Sequence, residues 1–213
     1  LVAKVVHSTI ANGEVKSIDV SEAEKVKGIV KIVTCFDVPD IEFMTPGHPY
    51  TLDPSHQDVS DRKLLNRRVR VYGDEIAAVV ATDEVAAARA VRLVKAEYDE
   101  YPLVMTRDEA LAPESKPLHP NLRPTNVLAH SGFTVGEGTF EDAAHEDGLI
   151  SLEREYDTQT VQHCHLEPAQ SFAYTEGDRI VVVSSTQIPH IMRRVIAQAN
   201  GWPIGKVRVI KSY

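Results

Sequence analysis

The chain has 213 residues, a formal net charge of −8, 43% hydrophobic residues and 25% charged ones, enough for one or two folded cores and too apolar for wholesale disorder. The acidic balance excludes sequence-independent binding to nucleic acid, and the longest apolar runs, such as 76–81 and 180–183, fall far short of a membrane span. Two cysteines, Cys35 and Cys164, cannot build a disulfide framework, so a reducing, cytoplasmic compartment is expected.

Elements follow in chain order. Residues 2–8 and 14–20 read as strands by alternation. Ser21-Glu22-Ala23-Glu24 has the spacing of a capping box, Gly28 is a stop, and the β-branched run 29–35 predicts a buried strand. Residues 36–66 hold Pro39, Pro46, Gly47, Pro49 and Pro54 with little periodicity, which predicts a long functional or interface-forming loop. Strands are predicted at 69–72 and 76–81 around a Gly73-Asp74 turn, with Asp74-Glu75 a turn charge pair. A helix capped by Thr82 or Asp83 then runs to Leu93, and a strand covers 94–98. Thr106-Arg107-Asp108-Glu109 is a second capping box.

Pro113, Pro117, Pro120 and Pro124 mark a linker, and the first domain boundary is expected between 113 and 135. Beyond it the pattern predicts a small helix at 140–145, strands at 149–156, 171–175 and 179–185, a helix at 189–200 and a last strand at 206–211. The chain opens at Leu1 in a strand-like run and closes in another, so it reads as a piece of a larger protein. The fold class is α+β, a mixed α/β arrangement.

Three constellations carry possible chemistry. In Gln162-His163-Cys164-His165-Leu166-Glu167-Pro168, an extended backbone would turn His163, His165 and Glu167 to one face. That set is either a divalent-metal site or polar lining, and neighbours two apart on a flat strand lie about 7 Å apart, awkward for one ion. Ser184-Ser185-Thr186-Gln187-Ile188-Pro189 follows an apolar strand and opens a helix, as a plain N-cap or as a site for an anionic or oxo group among free amides. After Asp178 there are six Lys or Arg and no acidic residue, a solvated face or the approach of an anionic ligand. Gly136-Glu137-Gly138 lacks the third glycine of a dinucleotide fingerprint, and no Gly-x-Ser-x-Gly elbow exists.

Several stretches together resemble the molybdenum-binding large subunit of the xanthine dehydrogenase and aldehyde oxidase family of molybdenum hydroxylases. Ala3-Lys4-Val5, Lys16-Ser17-Ile18-Asp19, Gly28-Ile29-Val30, Thr34 and Asp37-Val38-Pro39 are similar to the start of its α/β hammerhead domain. Val71-Tyr72-Gly73-Asp74-Glu75-Ile76-Ala77-Ala78-Val79-Val80-Ala81 resembles a characteristic strand, Val94-Lys95-Ala96-Glu97-Tyr98 the strand after it, and Leu118-His119-Pro120 a recurrent linker tripeptide. Residues 162–198, from Gln162 through Gln187 to Arg193-Arg194, look most like bacterial xanthine dehydrogenase subunits. Asn200 and Ser212 stand where the family more often has a hydrophobic residue or proline.

The resemblance implies a hammerhead domain over 1–115, a connector over 116–145 and the first part of a molybdopterin-binding domain over 146–213. It implies a molybdenum–pterin cofactor, with the cytosine dinucleotide form left open, and hydroxylation of a C–H bond with water as oxygen source and a protein carboxylate as base. Electrons would leave through iron–sulfur clusters and FAD on partner domains or subunits. The substrate expected is a purine, xanthine or hypoxanthine; aldehyde, nicotinate or carbon monoxide is the alternative within the family, and a non-catalytic docking scaffold the alternative outside it. Gln187 matches the family's glutamine whose amide contacts an oxygen on molybdenum, and is the one cofactor-binding residue expected in this chain. No catalytic residue and no metal ligand is expected within it: His163, His165 and Glu167 have no assigned role, and the Gly-Gly-Gly-Phe-Gly loop, substrate-binding side chains and glutamate base are expected beyond Tyr213. The chain alone is therefore expected to be inactive.

Overall fold

A computed structural model describes residues 1–44, 60–121, 123–127, 133, 135–145, 148–150 and 152–212. The chain divides into two compact units: Leu1–Asn126 together with Gln170–Tyr213, and Val127–Ala169.

In the first unit, β7 (Glu75–Ala81) is the centre of a three-stranded antiparallel sheet with β1 (Val2–His7) on one side and β3 (Ile29–Thr34) on the other. Its sequence, Glu-Ile-Ala-Ala-Val-Val-Ala, suits a strand paired on both edges, and Ile76, Ala77, Val79 and Ala81 are buried. A second antiparallel sheet places β2 (Gly13–Asp19) between β6 (Arg68–Val69) and β8 (Lys95–Glu100). Val15 and Val69 from this sheet join Val6, Ile32, Ile76 and Val79 from the first in one core. Each such fully buried aliphatic side chain contributes about 1.5–3 kcal/mol.

Helix α2 (Glu84–Val91) packs on β1 and β7 through Ala86, Ala87 and Ala90, whose small side chains permit close approach. Asp83 caps it, its side chain accepting the N–H of Ala86 at 2.9 Å. Helix α1 (Ser21–Glu24) is a single turn before Gly28, and α3 (Arg107–Leu111) starts with the reciprocal box between Thr106 and Glu109.

A third sheet has the order β11-β10-β9. β9 (Ser171–Glu176) and β10 (Arg179–Ser184) form an antiparallel hairpin. Helix α5 (Pro189–Ala199) then carries the chain across to β11 (Val207–Lys211), parallel to β10. α5 ends in a Schellman motif: Gly201, at φ +65°, donates to the carbonyl of Gln198, and Trp202 donates to that of Ala197. Asn200, one of the two departures from the family pattern, has a job here, its side-chain amide donating to the carbonyl of Ile196 at 2.8 Å.

Several expectations need correction. The strand at 69–72 ends at Val69, because the carboxylate of Asp74 accepts the N–H groups of Arg70 and Val71 at 2.7 and 3.2 Å and closes a turn. β6 and β7 are accordingly not a hairpin: β7 lies between β1 and β3, whereas β6 and β8 flank β2 in the other sheet. Ser21 makes no side-chain cap; its N–H instead donates to Asp19 Oδ1 at 2.9 Å. Residues 36–66 are not wholly irregular, for β4 (Phe43–Met44) pairs with β5 (Ser60–Arg62); Pro46, Gly47, Pro49 and Pro54 lie outside the described residues.

The Val127–Ala169 unit contains α4 (Phe140–Ala144), opened by a capping box between Thr139 and Asp142. The strand expected at 149–156 does not form among the described residues. Its alternation supplies an apolar face, yet Ile150, Leu152 and Tyr156 are all exposed, and a strand without a paired neighbour leaves its backbone to water.

Candidate functional site

The turn between β10 and α5 positions Gln187. β10 ends at Ser184, where its ladder to β9 closes on Ser171. Pro189 fixes the first helical position of α5, where its missing N–H costs nothing. The capping residue is Ile188, in a non-helical conformation and without a side-chain hydrogen bond to the first turn. A plain N-cap by a hydroxyl or amide side chain is therefore not what this segment makes. Gln187 is exposed, and among the described residues its carboxamide has no hydrogen-bond partner.

The residues around Gln187 are closely tied. Ser185 N–H donates to the carbonyl of Gln170 at 3.1 Å, Gln170 N–H donates to Ser185 Oγ at 3.1 Å, and Ser185 Oγ lies 3.3 Å from the Gln170 carbonyl. One step inside, the hydroxyls of Ser171 and Ser184 are 3.3 Å apart. Across the turn, Ile188 N–H donates to Thr186 Oγ1 at 3.2 Å. The sequence alone does not reveal the Ser185–Gln170 pair, because it joins positions fifteen apart and lies just beyond the regular ladder.

Three of the six cations after Asp178 have contacts within the fold. Arg193 Nε donates to the carbonyls of Ile204 and Val207 at 3.1 and 2.7 Å, tying α5 to the 3-10 turn Ile204–Lys206 and to β11. Lys206 lies over the Trp202 ring, and Arg208 pairs with Glu176 at 3.0 Å.

His163 and His165 do come together: their rings stack with centroids 5.3 Å apart and planes 12° from parallel. The backbone between them is not the extended strand that alternation assumes, since Cys164 sits at φ +49°. Among the described residues no group of three or more His, Cys, Asp or Glu side chains is placed to hold a metal ion. Glu167 therefore does not complete a metal site with the two imidazoles.

The linker tripeptide is anchored. Leu118 N–H donates to Asn126 Oδ1 at 2.7 Å, and the Leu118 carbonyl accepts from Arg70 Nε at 3.3 Å. Beside them, burial and then the Arg70 charge hold the His119 imidazole below its ordinary pKa.

The chain belongs to the aldehyde oxidase and xanthine dehydrogenase family. The family model for the a/b hammerhead domain of aldehyde oxidase and xanthine dehydrogenase matches residues 1–102, and that for the molybdopterin cofactor-binding domain matches residues 118–213. More particularly, the chain is 44% identical over 214 residues to the xanthine dehydrogenase molybdenum-binding subunit of Escherichia coli O157:H7, covering 99% of this chain and 27% of that relative. It is 29% identical over 218 residues to the carbon monoxide dehydrogenase large chain of Hydrogenophaga pseudoflava, covering 97% and 26% of the two. Among solved structures, the aldehyde oxidoreductase of Desulfovibrio desulfuricans is similar with a TM-score of 0.85 at 27% identity, over 99% of this chain and 23% of that one. The chain thus spans about a quarter of the length of the relatives it matches. No helix among the described residues is long and apolar enough to cross a membrane.

Proposed function

We propose that this chain is the first portion of the molybdenum subunit of a purine hydroxylase, a cytoplasmic enzyme acting on xanthine or hypoxanthine with water as oxygen source. The observation that carries the substrate class is the contrast in identity: 44% to a xanthine dehydrogenase subunit against 29% to a carbon monoxide dehydrogenase chain over nearly the same residues. The hammerhead domain is assigned to 1–115, the connector to 116–145 and the start of the cofactor-binding domain to 146–213.

A bound molybdenum–pterin cofactor would supply the two-electron oxidation of a C–H bond. The donor chemistry of the β10–α5 turn fits that group. The turn offers the exposed carboxamide of Gln187 and, among the described residues, no set of metal ligands, which would suit a metal that its pterin holds and that protein approaches through hydrogen bonds. Gln187 is assigned the contact: its carboxamide, without a partner among the described residues, would donate an N–H to an electron-rich oxygen of the bound group. Aimed before the reaction starts, such a donor stabilises charge without reorganising as charge develops. Iron–sulfur and FAD partners would take the electrons, and the rest of the subunit would bring the base and the substrate pocket.

Expression of the complete reading frame with its cofactor machinery tests this. Purified protein should contain molybdenum and pterin and should turn over xanthine or hypoxanthine in preference to an aldehyde, nicotinate or carbon monoxide. The 213-residue chain alone should show no turnover. Preference for a non-purine would overturn the substrate class, and a pterin-free protein would overturn the reading altogether.

A further inference from the structure

We infer that Ser185 is a positioning residue for Gln187, acting through its clamp on Gln170; the inference rests on the reading of Gln187 given above. Gln187 is exposed, and among the described residues its side chain has no hydrogen-bond partner that would fix its place. The backbone around it is nonetheless held on both sides. Upstream, Ser185 and Gln170 exchange hydrogen bonds through backbone and hydroxyl, adding a cross-strand pair beyond the last ladder residues, Ser184 and Ser171. Thr186 Oγ1, accepting from Ile188 N–H, closes a small ring with Gln187 inside it. Downstream, Pro189 locks φ at the start of α5.

The hydroxyl of Ser185 is the part of this arrangement that is not obligatory. Its backbone N–H already reaches Gln170, so a residue without a hydroxyl could continue the strand. The hydroxyl adds an acceptor for the N–H of Gln170, the residue just before β9. What it secures is the exit of the chain from the sheet two residues before Gln187. A donor aimed at a developing charge must be held within about 0.5 Å, and a displacement of about 1 Å can cost on the order of a hundredfold in rate.

The test compares the full-length holoenzyme as wild type, S185A, S185T, Q187A and S185A/Q187A. S185A should keep wild-type molybdenum and pterin content, lower kcat by about tenfold at unchanged KM, and shift the electron paramagnetic resonance of the one-electron-reduced metal in the direction that Q187A shifts it. S185T, which retains the hydroxyl, should restore both, and the double variant should be no slower than Q187A. In the cofactor-free protein, hydrogen exchange of the 185–188 amides should quicken in S185A and not in Q187A. Wild-type kcat and spectrum in S185A beside a shifted Q187A would overturn this inference alone, as would additive losses in the double variant or loss of metal from S185A. A Q187A enzyme with wild-type kcat and spectrum would overturn the reading of Gln187 itself.

Discussion

Asp37 binds both polar hydrogens of Thr34 with a single carboxylate oxygen: Oδ2 accepts the backbone N–H at 2.8 Å and the hydroxyl at 2.6 Å. The pair closes the end of β3, and those hydrogen bonds hold the Asp37 carboxyl below its ordinary pKa. A depressed folded-state pKa adds stability that is complete above the unfolded value, about 3.9, and is lost as pH falls through the folded one. D37N should therefore lower the urea midpoint at pH 7 and flatten its decline between pH 5 and pH 3. An unchanged pH profile in D37N would remove this pair from the acid response.

Two capping sequences are expected to behave oppositely. Asp83 accepts the N–H of Ala86, so D83A should cost about 1 kcal/mol. Ser21 has the spacing of a cap and makes no such bond, so S21A should change stability by less than about 0.5 kcal/mol. Paired urea titrations of the two variants check the contrast.

Gly13 and Gly73 should resist alanine for different reasons. A Cβ at Gly13 would lie 2.4 Å from the Asp99 carbonyl oxygen and 2.5 Å from Ile10 Cδ1, forcing β2 away from β8, and G13A should cost about 1–3 kcal/mol. Gly73 has open space around it but sits at φ +91°, so G73A should cost about 1 kcal/mol from backbone conformation alone. In G13A the amide exchange of β8 should quicken, while in G73A it should not.

The two thiols should react at very different rates. Burial pushes the Cys35 thiol up to about 11, whereas Cys164 is exposed. The thiolate is the reactive form, so at pH 8 one equivalent of a thiol reagent should react quickly and the second only after unfolding. C164S should abolish the fast phase.

Local signals carried much of the fold. The alternation in β1, the β-branched run in β3, the cap at Asp83 and the strand–helix–strand pattern from β10 to β11 all lie within short windows, and those elements form where the sequence predicts. What escaped depends on partners distant in the chain. Nothing near Val94 says that β8 joins β2 and not β7, and nothing near Leu149 says whether an alternating run will find a neighbour. At the β10–α5 turn, spacing left a plain N-cap and an anion site both open and only the family resemblance singled out Gln187, while the Ser185–Gln170 clamp needed two remote backbones in register.

The central place of β7 bears on synthesis at the ribosome. β1 and β3 are both made before β7, their shared partner, and β2 likewise precedes β6 and β8. At about 5–20 residues per second, nascent β1 waits on the order of ten seconds with its hydrogen-bonding edges open. Chaperone cover is thus needed most while residues 8–75 are emerging, and a pause placed there by slow codons would lengthen the interval in which unpaired strands can meet a neighbouring chain.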